Sequence, residues 1–143
     1  MNTSLLSEES PLLALQRATH VTLRLLAAKL ASLDLTASEV NALAILADGR
    51  ERTISELLVA SGSRPTTLTT VLDRLERRCL VIRHGRPGDR RVVVVELTDS
   101  GKVASETIRH TMSELEQCAL SDISSERIAD FYAVLHALVK EPT

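Results

Sequence analysis

Aromatic side chains are nearly missing from this sequence: Phe131 and Tyr132 are the only two, and tryptophan is absent. Proteins that grip single-stranded nucleic acid stack bases on aromatic platforms, and two neighbouring rings cannot build one. Cysteine is almost as scarce. Cys79 and Cys118 form no CxxC pair and have no metal-ligand spacing, which excludes a disulfide framework and a zinc finger. Both read as small apolar fillers, with Cys118 expected to be buried on an apolar stripe. Long apolar runs are missing too. Arg17, Arg24 and Lys29 interrupt the most apolar N-terminal stretch, so no segment reads as a membrane span. Glu8 and Glu9, with no basic start before an apolar core, do not make a secretory signal, and a cytoplasmic location is expected.

What is present is informative by its distribution. The 143 residues suit one domain with a core, and the formal charge is -2. From Arg50 to Arg91, however, ten arginines stand against five acidic residues, while the rest of the chain holds seven basic and fourteen acidic ones. A basic middle flanked by acidic ends fits duplex nucleic acid, although a charge run is more often a plain solvated face.

Periodicity then assigns elements. Leu12, Leu15, Thr19, Leu23, Leu26, Leu30 and Leu33 recur at three- and four-residue steps, giving a long, heavily buried first helix from Pro11 to about Leu33. Thr36 and Glu39 form a capping box for a second helix that Asp48-Gly49 ends. Ile54 to Ala60 is a short third helix, Ser61-Gly62-Ser63 a tight turn, and Pro65 opens a fourth helix with Leu68, Val71, Leu72 and Leu75 inward. Leu80 to Arg83 and Arg91 to Leu97 are the strands of a hairpin, joined through a stretch containing Gly85, Pro87 and Gly88. Thr98 caps a fifth helix with Ala104, Ile108, Met112, Leu115 and Ala119 on one stripe. The last helix starts at Ser124 or Ser125 with Ile128, Phe131, Leu135 and Leu138 at heptad steps, and Pro142 follows its end.

Short helix, Gly-containing turn, second helix and hairpin make a winged helix-turn-helix, so the expected class is mainly α with a small β-hairpin. On the fourth helix Thr66, Thr67, Thr69 and Thr70 lie off the apolar stripe, beside Arg64, Pro65 and Arg74. Threonine offers a hydroxyl to phosphates or base edges and a methyl to thymine. At the hairpin tip, Asp89 and Arg91 are two apart on extended chain, so the carboxylate can hold the guanidinium before DNA arrives. Arg86 and Arg90 are left for phosphate. A narrow minor groove attracts such guanidinium groups.

These residues resemble the MarR family of bacterial transcription regulators. Asp89 to Thr98 fits the wing signature D-x-R-x5-L-T, and "SELLVASGSRPTTLTTVLDRLERRCLV" runs without gaps against the family's helix-turn-helix pattern. The resemblance implies one domain over residues 1–143, with a DNA-binding lobe at about 36–97 and dimerisation helices at about 10–33 and 99–140. It implies a homodimer on a pseudo-palindromic operator, Arg91 in the minor groove, and most often repression released by a small molecule or an oxidant. Cys79 replaces the usual Gly after the recognition helix, so the left-handed turn must be made another way. The first helix lacks the cysteine and tyrosines of the peroxide-sensing branch.

Other readings are weaker. Arg17 and Arg24, a helical step apart, could hold an anionic effector, or pair with acids. His110 with Glu106 and Glu114 has helical spacing for a metal, but a solvent-facing helix surface is simpler, and no metal or cofactor is expected. Cys79 beside Arg77 and Arg78 could be a redox thiol. A winged-helix adaptor between proteins is the alternative to DNA readout. No nucleophile elbow, phosphate loop or metalloprotease pattern is present, and an enzyme is not expected.

Overall fold

Helix α1 (Pro11–Lys29) starts where Ser10 accepts the Leu13 N–H and where Pro11, lacking an N–H, loses nothing. The computed structural model describes residues 9–140, so the expected stop at Pro142 lies outside the described residues. No residue of α1 is buried, against the expectation of a heavily buried helix. Its leucine stripe meets the core at its C-terminal end, through Leu26 and through Leu30 and Leu33 just past that end, while Leu12 and Leu23 stay exposed in the single chain.

A 3-10 turn, Ala31–Leu33, ends on Asp34 in a left-handed conformation (φ 51°). Helix α2 (Ala37–Ile45) follows, with the Thr36 hydroxyl accepting the Glu39 N–H at 3.2 Å. The capping box closes on this side only, because the Glu39 side chain is buried at 4% exposure and lines a cleft instead of reaching back. Gly49, at φ 80°, ends the 3-10 turn Leu46–Asp48.

A three-stranded antiparallel sheet replaces the expected two-stranded hairpin. Strand β1 (Arg52–Thr53) lies beside β3 (Asp89–Leu97), and β3 also pairs with β2 (Val81–Arg86), in the order β1-β3-β2. Two residues carry no alternation to read, and Thr53 doubles as the N-cap of α3 (Ile54–Ser61), which hid the strand. Strands β2 and β3 also run closer to the tip than expected, leaving Pro87-Gly88 as the turn, with Gly88 at φ 90° as its left-handed residue. Gly85 is therefore a strand residue. A Cβ there would lie 3.1 Å from the Arg90 Cα, beside a register irregularity at Gly85/Arg86.

Helix α4 (Pro65–Arg77) buries Leu68, Val71, Leu72 and Leu75 as expected. They join Leu43, Leu46, Leu57, Val81 and Ile108 in the core. At the exit of α4 the Leu80 N–H donates to the Leu75 carbonyl and the Cys79 N–H to that of Glu76, both at 2.9 Å. This is a Schellman motif, and its left-handed residue is Cys79 itself, at φ 59°. The turn is thus made as a glycine would make it, correcting the expectation of another route; the buried Leu75 and Leu80 flanking it hold a conformation that a Cβ disfavours.

The same point anchors α5 (Asp99–Ala119). The Thr98 hydroxyl donates to the Cys79 carbonyl at 2.6 Å and accepts the Gly101 N–H at 3.0 Å, while the Thr98 N–H donates to Leu80 O at 3.1 Å. Gly101 is buried so close that a Cβ would meet the Leu80 oxygen at 1.9 Å. On the far side, Arg78 donates to the carbonyls of Asp34 and Leu33 at 2.7 and 2.9 Å, joining the end of α4 to the α1–α2 connection.

The chain divides into two compact units, one up to Met112 and one from Ser113. Along α5, Ala104 and Ile108 are buried and Met112 partly so; Cys118 lies beyond this stretch and is exposed, against expectation. Helix α6 (Ser125–Val139), capped by Ser124, has no buried residue, and Phe131, Tyr132 and Leu138 are exposed.

Candidate nucleic-acid interface

Gly62 (φ 67°) closes α3 by donating its N–H to the Leu58 carbonyl at 2.9 Å, and Ser61 accepts the Ser63 N–H at 3.2 Å. This tight turn delivers the chain to Arg64, the N-cap of α4. An arginine has no acceptor to cap with, and none caps this helix. The first-turn amides of Thr66 and Thr67 are therefore free for an anion, where the helix dipole also favours one.

Arg64, Pro65, Thr66, Thr67, Thr69, Thr70 and Arg74 are all exposed on α4, opposite the buried leucines. Their hydroxyls are not equivalent. Thr69 donates to the Pro65 carbonyl at 2.9 Å and Thr70 to that of Thr66 at 3.1 Å, so both protons are committed to the helix. These two keep lone pairs and methyls to offer. Thr66 and Thr67 keep whole hydroxyls.

At the wing, the Asp89 carboxylate accepts both the Arg91 backbone N–H and its Nε–H, each at 3.2 Å. The Arg91 side chain is nevertheless 93% exposed. An exposed pair of this kind contributes at most about 1 kcal/mol, so it orients the guanidinium and yields readily to phosphate. Arg86 and Arg90 are exposed beside it.

The ten central arginines divide by task. Arg83 donates to Asp73 at 2.6 Å and to Glu76 at 3.0 Å, tying β2 to α4; this hydrogen bonding holds the Glu76 carboxyl below its usual range. Arg50 and Arg52 both bind Asp48, which the Arg50 backbone N–H and then these guanidinium groups hold at about 2. The Arg52 Nε is buried without a partner. Arg77 donates to the Asp73 carbonyl at 3.3 Å. Among the described residues, Arg64, Arg74, Arg86 and Arg90 pair with no carboxylate, and they stand on α4 and the wing. The roles of Arg78 and Arg83 were missed by the sequence reading. For Arg83 a signal existed, since it shares a strand face with buried Val81 and a charge there needs a partner.

An open cleft of about 450 Å³ lies against α4, lined by Asp34, Glu39, Arg74, Arg77 and Arg78. Arg17 and Arg24 line neither it nor the small apolar depression between Leu23, Leu30 and Val40. Arg17 is engaged by Glu9 through two contacts, one of them 2.7 Å. Of the two readings of Arg17, pairing with an acid is the one present in the single chain. No described helix is long and apolar enough to cross a membrane.

Comparison with known proteins agrees with this geometry. The model of the MarR family matches residues 35–93. The HTH-type transcriptional repressor NicR of Pseudomonas putida is 30% identical over 99 residues, covering 68% of this chain and 63% of NicR, so the match spans under two thirds of that relative. The crystal structure of transcriptional regulator PA4135 is 26% identical with a TM-score of 0.76, covering 94% of this chain and all of its own. A mutant MarR from E. coli complexed with operator DNA is 27% identical with a TM-score of 0.71, covering 91% of this chain and 94% of its own. By its matched lobe, its wing motif and a likeness that runs through the flanking helices, the chain belongs to the MarR family.

Proposed function

We propose that the protein is a sequence-specific duplex-DNA-binding transcriptional repressor that works as a homodimer. The observation that carries this reading is Arg91, fully presented to solvent yet held at its root by Asp89. In this reading α4 enters a major groove, with Thr66, Thr67 and the first-turn amides at base edges and phosphates. Thr69 and Thr70 present methyls, Arg64 and Arg74 contact the backbone, Arg91 enters the minor groove, and Arg86 and Arg90 meet phosphates. Asp89 is a positioning residue.

The dimer helices are α1, α5 and α6. Supporting this, Leu12, Leu13, Leu23 and Leu25 on α1 and Phe131, Tyr132, Leu138 and Val139 on α6 are exposed, more apolar surface than a monomer usually leaves uncovered. Two-fold symmetry calls for a pseudo-palindromic operator with half-site centres about 10 bp apart or a multiple of that. A small-molecule effector completes the reading: the cleft against α4 has a ligand-sized volume, and filling it would engage Arg74.

The test is selection of bound fragments from a randomised duplex library, followed by titration of the selected site. Arg91→Ala is expected to weaken binding by about tenfold or more per half-site with the melting temperature unchanged. A variant that melts lower but binds as well as the parent would remove the wing from the interface. Weak binding with little dependence on salt would point to a protein adaptor instead.

A further inference from the structure

A second group of chemistry-bearing side chains stands on the wing sheet. His84 of β2 faces Val94 of β3, and Glu96 faces Ile82, so the His84 and Glu96 side chains leave the same face of the sheet. His84 Nε2 and Glu96 Oε1 are 3.4 Å apart. Arg52 faces Val95, and continuing that antiparallel register by one residue brings Glu51 opposite Glu96. The donor atoms of Glu51, His84 and Glu96 all lie within 4.8 Å of one another.

This arrangement is short of positive charge. Two carboxylates opposite each other on paired strands repel. Among the described residues, neither Glu51 nor Glu96 has an arginine or lysine partner, because neighbouring Arg50 and Arg52 are both held by Asp48. The imidazole adds to the demand. Its Nδ1 lies 3.2 Å from the Gly85 carbonyl oxygen, which can only accept, so Nδ1 is the nitrogen that donates there and Nε2 is the one turned toward the Glu96 carboxylate. Such orientation of a ring by a backbone carbonyl is the usual support of a metal-ligating histidine. A proton on Nε2 would satisfy one pair of these donors and leave Glu51 unserved; a divalent cation serves all three.

The spacing selects the kind of cation. Tetrahedral zinc with bonds of about 2.0–2.1 Å sets its ligand atoms about 3.4 Å apart, the separation of His84 and Glu96. Glu51 is exposed just ahead of β1, with its carboxylate within 4.8 Å of the other two donor atoms. An imidazole donor favours zinc and its transition-metal neighbours over magnesium or calcium. We propose that Glu51, His84 and Glu96 form a divalent transition-metal site, best fitted to Zn²⁺, with water in the remaining position. The bound ion pins the residue before β1 to both strands of the wing.

The experiment is calorimetric titration of the full-length, chelator-stripped protein with zinc chloride and, separately, magnesium chloride. The parent is expected to take up one Zn²⁺ per chain at this site and to melt higher with it, while Mg²⁺ at the same concentration has no effect. Glu51→Gln and His84→Gln are each expected to weaken that uptake by more than about tenfold and to remove the thermal shift. Glu51→Gln changes an exposed side chain outside the core, so its result is readable even if His84→Gln fails to fold. Absence of zinc uptake by the parent, or uptake unchanged in Glu51→Gln, overturns the proposal. DNA binding plays no part in the readout, so the outcome stands apart from the function proposed above.

Discussion

At the scale of single residues, the junction after the recognition helix makes opposite demands on two neighbours. Cys79 holds a left-handed conformation that glycine adopts freely, a difference on the order of 1 kcal/mol. Cys79→Gly is therefore expected to raise the free energy of unfolding by about that amount. Gly101→Ala is expected to lower it by about 3 kcal/mol or more, because the new methyl meets backbone rather than a movable side chain. Urea melts of the two variants check both signs, and a neutral Gly101→Ala would refute the packing described. Asp48 gives a pH dependence. Its folded value of about 2 lies below its ordinary 3.8, so the stability it contributes is complete above about pH 4 and is lost as pH falls toward 2. Asp48→Asn is expected to flatten the stability curve in that window. An unaltered acid limb would mean that the Arg50 and Arg52 contacts do not persist in solution.

At the scale of elements, α4 and the wing are joined by Arg83 to Asp73 and Glu76, which separates an arginine that positions from those proposed to touch DNA. Arg83→Gln is expected to weaken operator binding with the salt slope unchanged, whereas Arg86→Gln is expected to reduce the slope by about one per subunit. Equal slopes for the two variants would sink that division. Elements were legible in the sequence where a local signal existed: threonines at helix starts, Pro65, the glycines at 49, 62 and 88, and the four leucine and valine positions of α4. Strand β1 was hidden because two residues have no period. Arg78 and the group Glu51, His84 and Glu96 were hidden for another reason: their partners lie far along the chain, at separations that only the completed fold determines.

At the scale of the whole molecule, the first helix was expected to be heavily buried and in the single chain it is not, while α6, read as a heptad stripe for a partner helix, is likewise exposed. Periodicity reports that a face is apolar; it does not say which chain covers it. Truncation after Asp122 is expected to turn a dimer into a monomer with a cooperative melt retained, as measured by sedimentation; a monodisperse dimer after that cut would relocate the interface. The exposure of the candidate DNA surface was legible because its motif is contiguous, while the Arg17 contact with Glu9 was one of two readings its sequence position allowed. Arg78 carries the last point. Its two N–H groups donate to the carbonyls of Leu33 and Asp34, so the foot of α4 is fastened to the turn that follows α1. In the proposed dimer, a tilt of α1 is therefore expected to reach the start of α4, with Thr66 and Thr67, through this polar contact rather than through the hydrophobic interior.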